Sequence, residues 1–179
     1  MNLPNKITLL RIALIPIFAI LTLCPIPYGD IWGAVVFIIA AISDAVDGNI
    51  ARSRGLITNF GKFADPLADK MLVGVSMICL VSMGRLPAWV FIIIVCRDFA
   101  VDGLRLLAAE KGVVIAASKW GKLKTLFQMI MVSLLLLNSL SFWPQPFYNI
   151  LCWVIIIIAV LLTIWSGFDY LRKGKGYIK

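Results

Sequence analysis

Apolar residues fill six stretches of the chain, each about as long as a membrane-spanning helix. A helix crosses the hydrocarbon core of a bilayer with about 20 mostly apolar residues. The six stretches cover roughly residues 7–27, 31–52, 62–83, 87–108, 120–141 and 146–170. Short breaks rich in proline and glycine separate them, as turns do. The pattern predicts an all-α, polytopic membrane protein with six transmembrane helices, forming a single domain over residues 1–179.

The composition supports a lipid environment. Of the 179 residues, 61% are hydrophobic and 15% are charged, and the mean hydropathy is +0.98. A soluble domain of this size has too little interior to bury so much apolar surface. The formal net charge of +8 fits either nucleic acid or an anionic membrane surface. Because the basic residues flank the apolar stretches, membrane lipids are the expected partner and nucleic acid is not.

Lysine and arginine are distributed unequally between the two sets of helix ends. One set carries nearly all of them, namely Lys6, Arg11, Arg52, Arg54, Lys62, Lys111, Lys119, Lys122, Lys124, Arg172, Lys173, Lys175 and Lys179. The opposite connections carry only Arg85. The positive-inside rule therefore predicts a multi-pass protein of a bacterial-type cytoplasmic membrane, with both termini on the cytoplasmic side. Asn5 and Thr8 follow Pro4 and are expected to cap a short interfacial segment at the N-terminus.

Several common catalytic arrangements are excluded. The chain has no histidine, and its four cysteines are isolated in apolar stretches. Structural zinc sites, Ser-His-Asp triads and Cys-His dyads are therefore not available to it. The C-terminal run YLRKGKGYIK is expected to be a tail that is solvated or contacts lipid headgroups.

Four aspartates fall near one predicted membrane edge. Asp44 and Asp47 end the second stretch, and Asp65 and Asp69 begin the third, so that each pair shares a helix face. Two interpretations stay open. The carboxylates could pair with nearby cations in a structural network, with candidates Arg52, Arg54, Lys62 and Lys70. Alternatively they could bind divalent cations, since hard oxygen ligands suit magnesium, calcium or manganese.

The spacing of these residues resembles a family signature. The pattern is Asp44-x-x-Asp47-Gly48-x-x-Ala51-Arg52, then eight residues, then Gly61-x-x-x-Asp65-x-x-x-Asp69. It resembles that of the CDP-alcohol phosphatidyltransferase family, and every fixed position is present. Such enzymes pass the phosphatidyl group of a CDP-linked lipid to an alcohol and release CMP. The resemblance covers essentially the whole chain.

The resemblance implies roles for individual residues. It implies two divalent cations, Mg²⁺ or Mn²⁺, held by Asp44, Asp47, Asp65 and Asp69, with Asp69 also the general base that takes the proton of the acceptor hydroxyl. The residues implied in binding the CDP-lipid, CDP-diacylglycerol, are Asn5, Thr8, Gly48, Arg52 and Thr58. Such a two-metal site stabilises both attacking and leaving oxygens in an in-line displacement.

The fourth stretch bears on the acceptor. Arg97 and Arg105 lie eight residues apart, roughly on one helix face, where Asp98 and Asp102 could serve as plain ion-pair partners. Together with Lys122, the arginines resemble the phosphatidylglycerophosphate-forming branch of the family. The resemblance implies that Arg97, Arg105 and Lys122 hold the phosphate of sn-glycerol 3-phosphate.

Other functions stay open. Inositol-phosphate acceptors also need a basic pocket, whereas an uncharged acceptor such as serine has less use for three cations. A small cation transporter would also carry intramembrane carboxylates, but these would be spread across the bilayer depth. A structural membrane subunit would leave the aspartate and glycine spacing unexplained. A homodimer is compatible with the sequence.

Overall fold

The computed structural model describes residues 3–53, 59–110, 112–113, 118–140 and 144–174. Within these ranges the regular elements are all helices, and no strand occurs. The helices are α1 (Leu3–Leu23), α2 (Gly29–Ser53), α3 (Asn59–Ser82), α4 (Ala88–Glu110), α5 (Lys119–Leu136), a short 3-10 helix (Leu137–Leu140) and α6 (Gln145–Gly174). The predicted all-α class is confirmed for the described residues.

Each predicted apolar stretch coincides with one helix, but the helices differ in apolar character. Three of them contain segments long and apolar enough to cross a membrane, namely Asn5–Leu23, Lys119–Ser139 and Gln145–Arg172, and a shorter apolar segment covers Gly29–Ser43. Helices α3 and α4 are about 36 and 35 Å long at 1.5 Å per residue, which suffices to span a bilayer. Both carry several charged residues, which lower their mean hydropathy. A count of six transmembrane helices stays a prediction.

The described residues fall into two compact units. The first unit spans Met1–Arg85 and Val132–Phe142, and the second spans Leu86–Met131 and Trp143–Lys179. The prediction of one domain over the whole chain stays a prediction.

In the first unit, α1 packs against both α2 and α3. Two glycines one turn apart allow α2 to approach α1 closely. A Cβ added at Gly29 would lie 2.1 Å from the backbone oxygen of Leu21, and one at Gly33 would lie 2.4 Å from the methyl carbon of Thr22. Between apolar helices in lipid, close backbone approach at small residues is a main source of association, since lipid solvates apolar side chains well. This G-x-x-x-G spacing therefore fixes the α1–α2 contact.

Arg85 has a structural role in the same unit. Its guanidinium group donates to Asp30 Oδ2 at 2.8 Å and to the carbonyl oxygens of Leu135 and Leu136 at 3.3 Å each. Ser139 also donates to Asp30. The last carbonyls of a helix lack intrahelical partners, so Arg85 caps the end of α5. The single basic residue on the predicted outer side is thus an ion-paired helix cap.

In the second unit, α4 packs against α6. Small and polar residues line the buried face of α6 near its C-terminal end, namely Ala159, Thr163, Ser166 and Tyr170. Tyr170 is only 3% exposed. The expectation that YLRKGKGYIK is a solvated tail is therefore wrong at its first residue, because α6 continues through Gly174 and buries Tyr170. Residues 175–179 lie outside the described residues.

Candidate functional site

Helix α1 supplies a polar contact to the acidic helix α3. Thr8 is fully buried, and its hydroxyl donates to Asp65 Oδ1 at 2.6 Å. Helix α1 starts at Leu3, so Asn5 and Thr8 lie inside it and do not cap it as the sequence led us to expect. Thr8 instead orients a carboxylate on a neighbouring helix. An interfacial position for the start of α1 stays a prediction.

Three polar residues of α1 are buried at successive intervals of three. Asn5, Thr8 and Arg11 are 8%, 0% and 1% exposed. Residues three apart lie on neighbouring parts of one helix face, and a buried arginine is costly unless it is partnered. From the sequence, Arg11 was expected only to mark the orientation of the first helix. Its spacing from Thr8 was the available signal that Arg11 belongs to the same polar face.

Asp65 and Asp69 lie one turn apart on α3 and are partly buried. Between them, Ala68 is fully buried and Leu67 is 45% exposed, so the small residue lies on the packed side of the helix. Side chains four residues apart in a helix lie on one face. The two carboxylates can therefore act on one ligand.

The remaining residues of the predicted acidic site are described less completely. Asp44, Asp47, Gly48 and Arg52 lie in the last turns of α2, but their side chains are outside the part of the chain whose side chains the structure describes. Thr58 lies outside the described residues. Among the described side chains, which include Asp65 and Asp69, no group of three metal-binding residues occurs. Metal binding by the four aspartates stays a prediction.

The donor chemistry of α3 nevertheless fits a divalent cation. Asp65 and Asp69 offer hard carboxylate oxygens on one face, which suit magnesium or manganese. The hydroxyl of Thr8 donates to one oxygen of Asp65, Oδ1, and an ionised carboxylate has further acceptor sites that a ligand can use. Such an outer hydrogen bond orients a ligating carboxylate.

A buried ion cluster joins α4 and α5 in the second unit. The ammonium group of Lys124, a residue that is 4% exposed, donates to both carboxylate oxygens of Asp98 at 2.5 and 2.7 Å. Asp98 Oδ1 also accepts from Arg97 Nη1 at 3.1 Å. Asp98, which the sequence offered as a possible ion-pair partner of the arginines, pairs with Arg97, and Lys124 is an additional partner. Because the single carboxylate of Asp98 is shared by the two cations Arg97 and Lys124, these three side chains together carry a net positive charge.

The two arginines of α4 converge on one aromatic ring. The guanidinium carbons of Arg97 and Arg105 lie 5.4 and 5.1 Å from the ring centroid of Tyr170. Arg105 Nη2 also donates to the Tyr170 hydroxyl at 2.6 Å. The two arginines that were predicted to bind the acceptor therefore contact the same side chain, as expected for two residues on one helix face. Tyr170 was not predicted to belong to it.

Three guanidinium nitrogens of Arg97 and Arg105 have no hydrogen-bond partner among the described residues. They are Arg97 Nε, Arg97 Nη2 and Arg105 Nε, all buried, and they find no acceptor within the described part of the protein. Buried donors to which no acceptor is supplied are costly. A phosphate would supply acceptor oxygens in a geometry that suits guanidinium groups.

Lys122 differs from Lys124 in its environment. Lys122 is exposed, whereas Lys124 is buried against Asp98. Two residues correspond to about 200° around a helix, so the two lysines point to opposite sides. The role of Lys122 as a phosphate ligand stays a prediction. The sequence placed both lysines at the same edge without indicating which one is buried.

Comparison with known proteins places the chain among lipid-synthesising transferases. The sequence model of the CDP-alcohol phosphatidyltransferase family matches residues 1–165. A CDP-diacylglycerol–glycerol-3-phosphate 3-phosphatidyltransferase of Bacillus subtilis is 50% identical over 192 residues, covering 99% of this chain and 97% of the relative. Its namesake in Rickettsia bellii is 38% identical over 98% and 97% of the two chains. A probable phosphatidylglycerophosphate synthase of Mycobacterium tuberculosis is 37% identical over 97% and 81%.

Proposed function

Since this chain belongs to the CDP-alcohol phosphatidyltransferase family, we propose that it transfers the phosphatidyl group of CDP-diacylglycerol to sn-glycerol 3-phosphate. The products are phosphatidylglycerophosphate and CMP. The relatives that carry this activity in their names match the chain over nearly its full length. The chain is a membrane enzyme, as its apolar helices and its family indicate.

One observation supports the phosphorylated acceptor more than any other. Arg97 and Arg105, both on α4, contact the same ring of Tyr170 on α6, and three of their buried nitrogens find no acceptor among the described residues. A phosphate dianion would accept hydrogen bonds from these nitrogens and would neutralise the net positive charge of the cluster. The hydroxyl of serine brings no such charge. In this proposal Arg97, Arg105 and Lys122 bind the acceptor phosphate.

The first unit would bind the CDP-lipid. The proposed ligands of the nucleotide and its pyrophosphate are Asn5, Thr8, Gly48, Arg52 and Thr58. Asp44, Asp47, Asp65 and Asp69 would hold two divalent cations, Mg²⁺ or Mn²⁺, which when bound supply the positive charge that a pyrophosphate needs before it can be attacked. Thr8 keeps Asp65 in one orientation through its hydrogen bond.

Asp69 would act as the general base. It takes the proton from the 1-hydroxyl of glycerol 3-phosphate as that oxygen bonds to the phosphorus of the phosphatidyl group. The bond from this phosphorus to the bridging oxygen of CMP breaks, and CMP leaves with the electron pair. Its position one turn beyond Asp65 lets Asp69 act on the acceptor while Asp65 is held by Thr8.

The topology belongs to the same proposal. Six membrane crossings with both termini on the cytoplasmic side would put the aspartates and the basic residues of the helix ends at the cytoplasmic face. Glycerol 3-phosphate is charged and water-soluble, so an active site at that face would receive it directly.

Acceptor selectivity tests the proposal. The full chain, purified in detergent with Mg²⁺, is given CDP-diacylglycerol and one labelled acceptor: glycerol 3-phosphate, serine or inositol 1-phosphate. We expect phosphatidylglycerophosphate as the main lipid product. Its rate of formation should exceed the rate with serine at least about 100-fold, because a site built for a charged group discriminates strongly against an analogue lacking it. Inositol 1-phosphate carries a phosphate too, so a lower rate with this acceptor would reflect the fit of the rest of the molecule. Preferential use of serine or inositol phosphate would overturn the assignment of the acceptor.

A further inference from the structure

Tyr170 lies at the centre of the basic cluster on the second unit. It is 3% exposed, and both guanidinium carbons, of Arg97 and of Arg105, lie over its ring within 5.4 Å of the centroid. Two guanidinium groups in contact with one ring carry like charges, which repel, and holding two long side chains in one arrangement costs conformational entropy. The negative face of an aromatic ring attracts both cations and so offsets this repulsion.

The hydroxyl of Tyr170 connects three helices. Its oxygen accepts a hydrogen bond from Arg105 Nη2 at 2.6 Å and one from the backbone N–H of Ser118 at 2.9 Å. Ser118 directly precedes α5, and its own hydroxyl accepts from the backbone N–H of Gly121 at 3.1 Å. A single side chain of α6 thus fixes an arginine of α4 and the start of α5.

Gly167 allows the Arg97 side chain to approach α6 closely. A Cβ at Gly167, one turn before Tyr170, would lie 3.1 Å from Cγ of Arg97. A Cβ at Gly121 would lie 3.6 Å from the Tyr170 ring and hydroxyl. The Arg97 side chain therefore lies directly against the backbone of α6.

We propose that Tyr170 is a positioning residue for the acceptor phosphate, which holds Arg97 and Arg105 in one arrangement with their unpartnered nitrogens available to it. This inference rests on the proposed function, because it assumes a phosphorylated acceptor. Tyr170 acts through the arginines, and its own hydroxyl oxygen already accepts two hydrogen bonds. Its contribution is preorganisation, which raises affinity by removing the cost of ordering two long side chains on binding.

The test compares Tyr170→Phe and Tyr170→Leu with Tyr148→Phe. Tyr148 is a matched control, since it is 7% exposed, also on α6, and near the opposite end of that helix. For each full-length variant in detergent, the KM for glycerol 3-phosphate, the KM for CDP-diacylglycerol and the melting temperature with and without glycerol 3-phosphate are measured.

We expect Tyr170→Phe to raise the KM for glycerol 3-phosphate about ten- to a hundredfold, which corresponds to the loss of one hydrogen bond to a charged group. Tyr170→Leu removes the ring as well and should raise it further. The KM for CDP-diacylglycerol should stay within about twofold, and the melting shift caused by glycerol 3-phosphate should shrink in the same order. Tyr148→Phe should leave all of these values near those of the wild type.

Other outcomes separate this inference from the proposed function. If the wild type neither uses nor is stabilised by glycerol 3-phosphate, the proposed function fails. If the wild type uses it and Tyr170→Phe matches Tyr148→Phe, only the role of Tyr170 is overturned. A rise in both KM values by the same factor would also overturn it, since a purely structural residue has no preference between substrates. Should Tyr170→Leu not fold, Tyr170→Phe alone decides.

Discussion

At the scale of single residues, the second unit buries charges that would be costly alone. Lys124 is 5% exposed in its side chain and Arg97 is 13% exposed, and both are paired with Asp98. Removing one partner of such a partly buried pair is destabilising, because the other charge is left without compensation. Asp98 therefore has a structural role. Two nitrogens of Arg97 find no partner among the described residues, so pairing with Asp98 is compatible with the proposed binding of a phosphate.

Thr8 offers a prediction at the same scale. Thr8→Val keeps the shape of the side chain but removes the donor to Asp65. If Asp65 ligates a divalent cation, the apparent affinity for Mg²⁺ should fall about tenfold, since losing an outer hydrogen bond typically costs ten- to a hundredfold in metal affinity or activity. The measurement is the Mg²⁺ dependence of the initial rate.

Thr22→Val is the matched control. Thr22 is also buried on α1, but its hydroxyl donates to the backbone oxygen of Phe18 in the same helix. Its Mg²⁺ dependence should match that of the wild type. An unchanged Mg²⁺ dependence in Thr8→Val as well would mean that the contact with Asp65 is only a packing contact.

At the scale of the elements, the two glycines of α2 determine how α1 and α2 pack. Gly29→Ala would place a methyl carbon 2.1 Å from the backbone oxygen of Leu21, and a backbone atom cannot rotate away. We expect a loss of about 1–3 kcal/mol in the free energy of unfolding, as for overpacking in a core. The measurement is thermal or denaturant unfolding in detergent.

The control for this change is Gly74→Ala in α3. No atom lies within 4 Å of a Cβ added there, and Gly74 is in a helix, so alanine should be neutral or stabilising by up to about 1 kcal/mol. If Gly29→Ala were as stable as Gly74→Ala, the close approach of α1 and α2 would not contribute to stability.

The positions of the helices along the chain could be predicted from the sequence. Which face of each helix is buried could not. Apolar runs of about 20 residues bounded by proline and glycine predicted each α-helix with its ends within about five residues. Which side of a helix faces inwards depends on its partners. Lys124 is buried because Asp98 on another helix accepts from it, and that pairing leaves no mark in the local pattern of α5.

Tyr170 was missed for a related reason. It begins a run of basic residues, whose charge indicated a solvated tail. The buried residues of α6 at Thr163 and Ser166 continue to Tyr170 with helical spacing, and this was the signal that the charges obscured. A residue at the end of an apolar face therefore belongs to that face even where the following residues are charged.

At the scale of the whole molecule, the account assigns two chemistries to two compact units. The first unit carries carboxylates and a buried polar face on α1, and the second carries a cluster of cations organised around Tyr170. A phosphatidyl transfer to a phosphorylated alcohol needs both, because the donor pyrophosphate and the acceptor phosphate are each anionic. This requirement accounts for the presence of four aspartates and a basic cluster in a chain with so few charged residues.

The most direct test of this account is the stoichiometry and metal dependence of a single reaction. Metal-depleted protein is incubated with CDP-diacylglycerol and glycerol 3-phosphate, and phosphatidylglycerophosphate and CMP are quantified by mass spectrometry with EDTA and after adding excess Mg²⁺ or Mn²⁺. We predict that both products are absent in EDTA and appear in equal amounts once the cation is restored. Full activity in EDTA, or release of CMP without phosphatidylglycerophosphate, would contradict the account.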